Sequence, residues 1–433
     1  MRTAQYDVVV AGGGPAGLCA AVEAARAGAK CALLERFGLL GGMLTAGAVQ
    51  PILGSVEKGT MYDELTGLFL RRHPEVVVPT TRNGREIPVD VEEVKGILPR
   101  FALDAGVDVY LLCPVVEAQI ENGRLLSVVA APPEGMTRFC APVFIDATGD
   151  GSLAALAGAA YAIGREADGK CQPVSIEFLL ADVDERVALS CFGGSDPVTL
   201  PDGRRYAEVC KAACAAGELP ENVSIVRLHK TARPGERNVN ATQANGFDVL
   251  DARAVARAEL LLRAQIGQIV AFLQKNVPGY EHCCVKSSGS TVGVRETRRV
   301  AGLKTITDRD VETGARCEDA VVHNAWFLID IHNPAGGGQA EKHSQPAIPY
   351  DIPYGALVCR DVRGLLLAGR CISGTHRAHA SYRVMAICMA TGQAAGAAAA
   401  LCAKGGKAPD ELDYQAVQRA LTESGCALSD KEG

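Results

Sequence analysis

None of the 16 cysteines is spaced as C-x-x-C; the nearest approaches are Cys283-Cys284 and Cys210 with Cys214. That spacing supports neither a zinc ribbon, nor an iron–sulfur cluster, nor a redox-active disulfide, so no metal site is expected. The thiols are expected to be reduced, small, buried hydrophobes. Blocks of Lys and Arg are also missing, and the net charge is −6, so a nucleic-acid partner has no electrostatic footprint. No apolar run reaches the length of a membrane span, and the Ala-rich stretch 394–403 reads as the tail of a helix. The first residues lack the sections of a signal peptide, and a cytoplasmic location is expected. What remains is a composition of 48% hydrophobic and 22% charged residues, that of an ordinary globular protein. At 433 residues the chain is too long for one small core, and two domains are expected, one interrupting the other.

The organising stretch is Val8-Val9-Val10-Ala11-Gly12-Gly13-Gly14-Pro15-Ala16-Gly17. A β-branched run predicts a buried parallel strand, and the Ala-rich segment from Leu18 to Ala27 predicts a helix. Between them lies G-x-G-x-x-G, with glycines at 12, 14 and 17. Gly12 suits the tight turn, Gly14 lets backbone approach a pyrophosphate, and Gly17 lets helix and strand pack closely. The helix N-terminus then offers N–H groups and a positive dipole end to phosphates. Alone, such a motif is an ordinary glycine-rich turn. Here Lys30–Glu35 follows as a second strand ending in an acid, whose carboxylate can accept hydrogen bonds from ribose hydroxyls. Together they predict a dinucleotide site.

Phe37 to Gly47 is a loop of apolar residues alternating with glycines, suited to packing on a ligand. Residues 57–105 read as largely helical, followed by a strand at 107–112 and a hairpin of 115–120 with 124–130 around Asn122-Gly123. Val143 to Asp146 is another buried strand, placing Thr148 and Gly149 at the carboxyl edge where ligands bind in doubly wound sheets. From about 165 to 345 charge and proline increase. A long helix over Asp251–Asn276 repeats Val255, Leu260, Leu261, Ile266, Ile269 and Phe272 at helical spacing. Gly336-Gly337-Gly338 lacks a strand–helix context, so no separate NAD(P)H domain is expected. The strand Leu365–Arg370 and a closing helix from about Arg383 to Ala403 return to the opening style, with Gly392, Ala394, Ala395 and Gly396 as a close-packing face.

With these pieces the chain resembles the FAD-dependent oxidoreductase family of the glutathione-reductase-like flavoprotein superfamily. The resemblance is carried by Gly12–Gly17 with Glu35, by Gly41-Gly42-Met43-Leu44-Thr45, and by Asp146–Gly151. Gly293–Arg299, Tyr350–Tyr354, Ala368–His376 and Gly392–Gly396 complete it. It implies an α/β fold: a Rossmann-like FAD-binding domain of the glutathione-reductase type, residues 1–164 and 346–433, with an inserted α+β substrate domain, 165–345. Within that insert, the 285–310 part is expected to pack on the FAD domain. The cofactor implied is FAD. Gly12, Gly14 and Gly17 would hold its pyrophosphate and Glu35 its adenosine ribose. Gly42 and Thr45 would lie near the pyrophosphate or flavin ring, Val116 on the adenine side, and Thr148 and Gly149 at the ribityl side. Gly369, Arg370 and Arg383 would close over the flavin, with Pro15, Ala16, Arg36, Gly41, Met43, Ala147 and Val384 as further contacts.

Hydride exchange at a flavin is usually assisted by an acid/base group, and histidine suits that task near neutral pH. His376 and His379 follow the flavin-side turn, and His332 lies where an apolar strand over 329–332 breaks into a loop. Arg295, Arg298 and Arg299 flank Glu296; they read as a solvated ion-pair cluster or as holders of a substrate carboxylate or reduced flavin. Tyr382 with Arg383 is a second such pair. His73, His229, His282, His323 and His343 have no distinguishing context. The function expected is hydride transfer between a small organic substrate and FAD, by dehydrogenation or C=C reduction. The alternatives are an O₂-using oxidase or monooxygenase, or a flavin subunit passing electrons to a partner protein. A homo-oligomer or an electron-acceptor protein is the partner that these readings allow beyond the substrate.

Overall fold

The computed structural model describes residues 1–76, 78, 80, 81, 84–336 and 347–428. The expected domain boundary at 345/346, His343 and Gly337-Gly338 lie outside the described residues.

Five short strands form one parallel sheet in the order Leu365–Leu367, Val143–Asp146, Val8–Ala11, Cys31–Leu34, Asp108–Tyr110. All but the last, Asp108–Tyr110, are buried residue by residue. That is why they read as continuous apolar stretches and not as alternations. The helix Pro15–Arg26 connects Val8–Ala11 to Cys31–Leu34, and the mostly apolar helix Met385–Gly405 lies against it. That long helix has the length and hydropathy of a membrane span, but nearly all of it is buried inside the protein. The two helices touch through missing side chains. A Cβ on Gly392 would stand 2.0 Å from the Ala16 carbonyl oxygen, and one on Gly396 would stand 2.3 Å from that of Ala20.

A second sheet, Arg2–Gln5, Thr137–Cys140, Arg124–Ala130 and Val115–Glu121, carries the expected hairpin. Asn122 and Gly123 both have positive φ (49° and 74°), as a two-residue turn of this hand requires. Several local expectations need correction. Residues 57–105 hold the helices Met61–Leu70 and Val91–Asp104, but a small hairpin, Thr80–Thr81 with Gly84–Arg85, separates them. The closing helix is two helices, His376–Tyr382 and Met385–Gly405, with Arg383 capping the first and Val384 opening the second. No strand spans 329–332; the strand is Ala320–Ala325, paired with Tyr350–Pro353.

Between the two halves of the parallel sheet the chain builds an antiparallel sheet: Arg227–Lys230, Arg237–Asn240, Phe178–Ala181, Cys284–Ser288. The helices Tyr206–Ala215 and Ala252–Asn276 cover it, and together they own a separate apolar core drawn from residues 174–292. The long helix buries Ala258, Leu262, Ile266, Ile269 and Phe272, whereas Leu260 and Leu261 face outward. The buried stripe advances by three or four residues, and Leu260 and Leu261 fall on its opposite side. Residues 300–331 pack instead with the first core, through Val300, Ile306, Val322 and Ile329.

Replacing Gly392 by Ala should destabilise the protein by about 1–3 kcal/mol, because the added methyl meets backbone that cannot yield. Urea unfolding of the variant against the parent measures this; an unchanged midpoint would contradict the close helix contact.

Candidate active site

The parallel strands end at one edge, and the chain leaves three of them, those ending at Ala11, Asp146 and Leu367, through turns that begin with small residues. After Val8–Ala11, Gly12 takes φ +100°, and a Cβ there would lie 2.5 Å from the Ala147 oxygen of the neighbouring turn. A Cβ on Gly17 would lie 1.7 Å from the Gly12 oxygen, so Gly17 serves helix–strand packing. Gly14 differs: the nearest atom to its absent Cβ is Gly42 Cα at 3.9 Å, so the space it leaves belongs to the cleft. Gly14 is also the N-cap of Pro15–Arg26 and offers no capping side chain, which leaves the first N–H groups of that helix open.

Glu35 pins this loop. Its Oε2 accepts from Gly13 N (2.5 Å) and its Oε1 from Phe37 N (2.7 Å), while burial raises its carboxyl. On the third edge, Asp146 is fully buried and organises the turn after Val143–Asp146. Its oxygens accept from Thr148 N (3.0 Å), Thr148 Oγ1 (2.7 Å) and Ala154 N (2.8 Å). Asp150, four residues on, accepts from Arg370 Nη2 at 2.6 Å and Thr297 Oγ1 at 3.0 Å. Burial opposes its ionisation, but Arg370 and Arg36 beside it hold the carboxyl below its usual range.

One large cleft runs along this edge and up against the second core. Of the expected cofactor contacts, Gly12, Gly14, Pro15, Ala16, Glu35, Arg36, Gly42, Met43, Ala147, Thr148, Gly149, Gly369, Arg370, Arg383 and Val384 line it. Gly17, Gly41, Thr45 and Val116 do not. Thr45 Oγ1 donates to the Leu40 oxygen (2.5 Å), and a Cβ on Gly41 would press on Thr45, so both hold the loop's shape. Val116, expected to present its backbone to the adenine edge, is exposed and off the lining, whereas Val115, beside a register shift of that strand, lines the cleft.

Among the expected catalytic residues the structure brings Arg295 and His332 to the cleft and leaves His376, His379 and Tyr382 behind its wall. His376 Nδ1 meets Glu296 Oε1 at 2.8 Å, and Glu296 also holds Arg299, so this trio is a buried ionic support. His379 is wholly buried edge-on to Tyr382, with ring centroids 5.4 Å apart, and Tyr382 donates its hydroxyl to the Ile372 oxygen (3.0 Å). Both residues fell inside a helix whose apolar packing the sequence alone did not expose.

Facing the glycine-rich edge are residues that carried no expectation: Ser175, Glu177, His229, Asn240 and Asp330. A signal existed for two of them. Val174-Ser175-Ile176-Glu177-Phe178 alternates, and since Val174, Ile176 and Phe178 enter the second core, Ser175 and Glu177 must face the other way. Burial pushes the Glu177 carboxyl up to about 8, against the pull of Arg295. Burial, and then Arg295 beside it, push His332 down to about 3, so its imidazole is neutral at neutral pH. His332 Nε2 lies 3.4 Å from Asp330 Oδ2, whose other neighbour is Arg383 Nη2 at 3.0 Å.

The cleft suits a dinucleotide with a pyrophosphate. An open helix N-terminus meets a glycine cradle, and two guanidinium N–H groups on the lining, Arg370 Nη1 and Arg383 Nε, are buried without an acceptor. The FAD dependent oxidoreductase family model matches residues 7–421, and the chain belongs to that family. Its cofactor is FAD, and the chain is an enzyme. Among characterised relatives, a thiamine thiazole synthase of Aeropyrum pernix is 32% identical over 136 residues, 30% of this chain and 47% of that protein. The match thus spans about half the length of that relative. Among solved structures, a geranylgeranyl bacteriochlorophyll reductase-like protein of Thermoplasma acidophilum aligns at a TM-score of 0.49 and 14% identity. That alignment covers 97% of this chain and 83% of the other. The flavin-dependent brominase Bmp2 aligns at 0.49 and 12% identity, covering 97% and 83%.

Asp150→Asn should leave Arg370 without its counter-ion and cost about 3 kcal/mol, read by urea unfolding, with loss of bound FAD. Because the folded carboxyl is held low, its contribution is present above the unfolded value near 4 and is lost as pH falls. The gap between parent and variant should therefore close below about pH 4; a gap independent of pH would contradict the ion pair's role.

Proposed function

We propose that the chain transfers a hydride between a small organic substrate and FAD held along the glycine-rich edge. The observation that carries this reading is the shared cleft. One wall is a helix N-terminus with orphaned guanidinium donors, and the other is a buried set of titratable side chains from the second core. Residues 174–294 form the substrate-facing inserted unit in this reading, and 300–331 belong with the FAD-binding part. Gly12, Gly14 and the N–H groups after it, with Arg370, hold the pyrophosphate. Glu35, whose oxygens each keep a further lone pair, receives the ribose hydroxyls. Bound FAD supplies the partner that takes or gives the electron pair moving with the hydride.

The protein's own part is to orient the substrate, exclude water and handle a proton. Glu177 fits that last task better than the histidines. A carboxyl held near pH 8 can release and recover a proton at working pH, whereas an imidazole pushed down to about 3 is a poor base. His332 instead steadies Asp330, and through it Arg383, at the flavin side of the cleft.

Purified protein should be yellow with bound FAD and should bleach anaerobically with its substrate; colourless protein that cannot be loaded with FAD would sink the reading. Rapid reaction of the reduced enzyme with O₂ in stopped flow would favour an oxidase or monooxygenase instead. Glu177→Gln should keep FAD but slow single-turnover bleaching by about 10²–10⁴-fold, and an unaltered rate would remove Glu177 from proton transfer.

A further inference from the structure

The buried charges around the cleft do not balance, and the imbalance has a sign. Arg383 is paired with Asp330 at 3.0 Å and Arg370 with Asp150 at 2.6 Å. Arg295 has no partner at ion-pair distance, although Asp330, held by Arg383, acts on it electrostatically. It is buried, lines the cleft, and takes part in no ion pair among the described residues. Its Nη1 donates to the Pro173 oxygen at 2.9 Å, a neutral acceptor. A second cation stands near: Arg227 acts electrostatically on Arg295 and on Glu177, and its Nη1 is buried with no acceptor. Glu177 faces both guanidinium groups, the backbone N–H of Gln50 and the Asn238 side chain, yet it does not supply the missing charge. It makes no ion pair with either guanidinium among the described residues, and its burial favours the neutral carboxyl. A buried guanidinium without a counter-anion is costly unless something brings the anion.

We infer that Arg295 anchors a carboxylate group of the substrate, which supplies the counter-charge that the wall lacks. This rests on the cleft being the oxidoreductase site proposed above. The planar guanidinium fork matches a carboxylate with two parallel N–H bonds, and Ser175 and Asn240 on the same lining add neutral polar contacts. A singly charged anion fits better than a phosphate dianion, because Asp330 already lines the same cleft. The substrate class is therefore a small carboxylic acid oxidised or reduced at a carbon away from its carboxylate. Arg295 is lowered to about 10, mainly by burial, and so stays cationic throughout the neutral range.

The test is calorimetric titration of the FAD-loaded protein with butyrate and benzoate, with butyramide and benzamide as uncharged isosteres, and with inorganic phosphate. At least one carboxylate should bind about tenfold or more tightly than its amide. Arg295→Ala should abolish that preference, and Arg295→Lys should restore part of it. The preference should also weaken as pH rises through about 8, where the ionised Glu177 would compete for Arg295, and Glu177→Gln should remove that dependence. Equal binding of acid and amide, a preference that survives Arg295→Ala, or tighter binding of phosphate would each overturn the inference. Flavin absorbance per chain is read separately. Loss of FAD binding in the parent overturns the oxidoreductase reading, and an FAD-loaded protein without a carboxylate preference overturns this one alone.

Discussion

Close backbone approach at a few glycines is the constraint on which the remaining structure depends. Gly12 packs against the Ala147 carbonyl, Gly17 against that of Gly12, and Gly392 against that of Ala16. At each of these points a single carbon atom would force strand, turn and helix apart. Because they are in contact, the first helix begins beside the ends of three parallel strands, and its open N–H groups share a cleft with the turns that leave those strands. Gly14 is the exception that gives the arrangement a use, since the room it leaves faces the cleft and not a protein neighbour.

Buried carboxylates hold the turns that surround this cleft. Glu35 binds N–H groups on both sides of its loop, Asp146 ties 147–154 into a turn, and Asp150 fixes Arg370 from the far end of the chain. These groups lose water on burial and are satisfied by several donors each, so their geometry is sharply defined. Rigid turns of this kind keep a cofactor in place without a large ordering cost at binding. The opposite wall is different in character. It comes from a separate core, and the buried Arg295 there has only a neutral acceptor, the Pro173 oxygen.

Much of the FAD-side edge was legible from residue order alone, because its parts are contiguous: a buried strand, three spaced glycines, an Ala-rich helix, a strand ending in Glu35. The family match over residues 7–421 agrees with that reading. Less legible was which neighbour of a pair faces the cleft. Val116 was expected there, but the strand places Val115 on that side. His376, His379 and Tyr382 are close in sequence to the turn expected beside the flavin, yet the helix His376–Tyr382 turns them into the core. Proximity along a chain says little about direction once a helix rotates each residue by a third of a turn.

Local sequence determined the elements whose signal is periodic or glycine-punctuated: the parallel strands, the hairpin at Asn122-Gly123 and the glycine-rich turn after the first of those strands. It did so because each depends on residues a few positions apart, where backbone sterics and burial act directly. Only the tertiary structure decided the wall opposite the glycine-rich edge. Glu177, Arg227, Arg295 and Asp330 come from four separate segments, and their charges interact only because two cores pack face to face. An ionisable group's behaviour is set by what surrounds it in space, and that neighbourhood is not written in any one stretch of the chain.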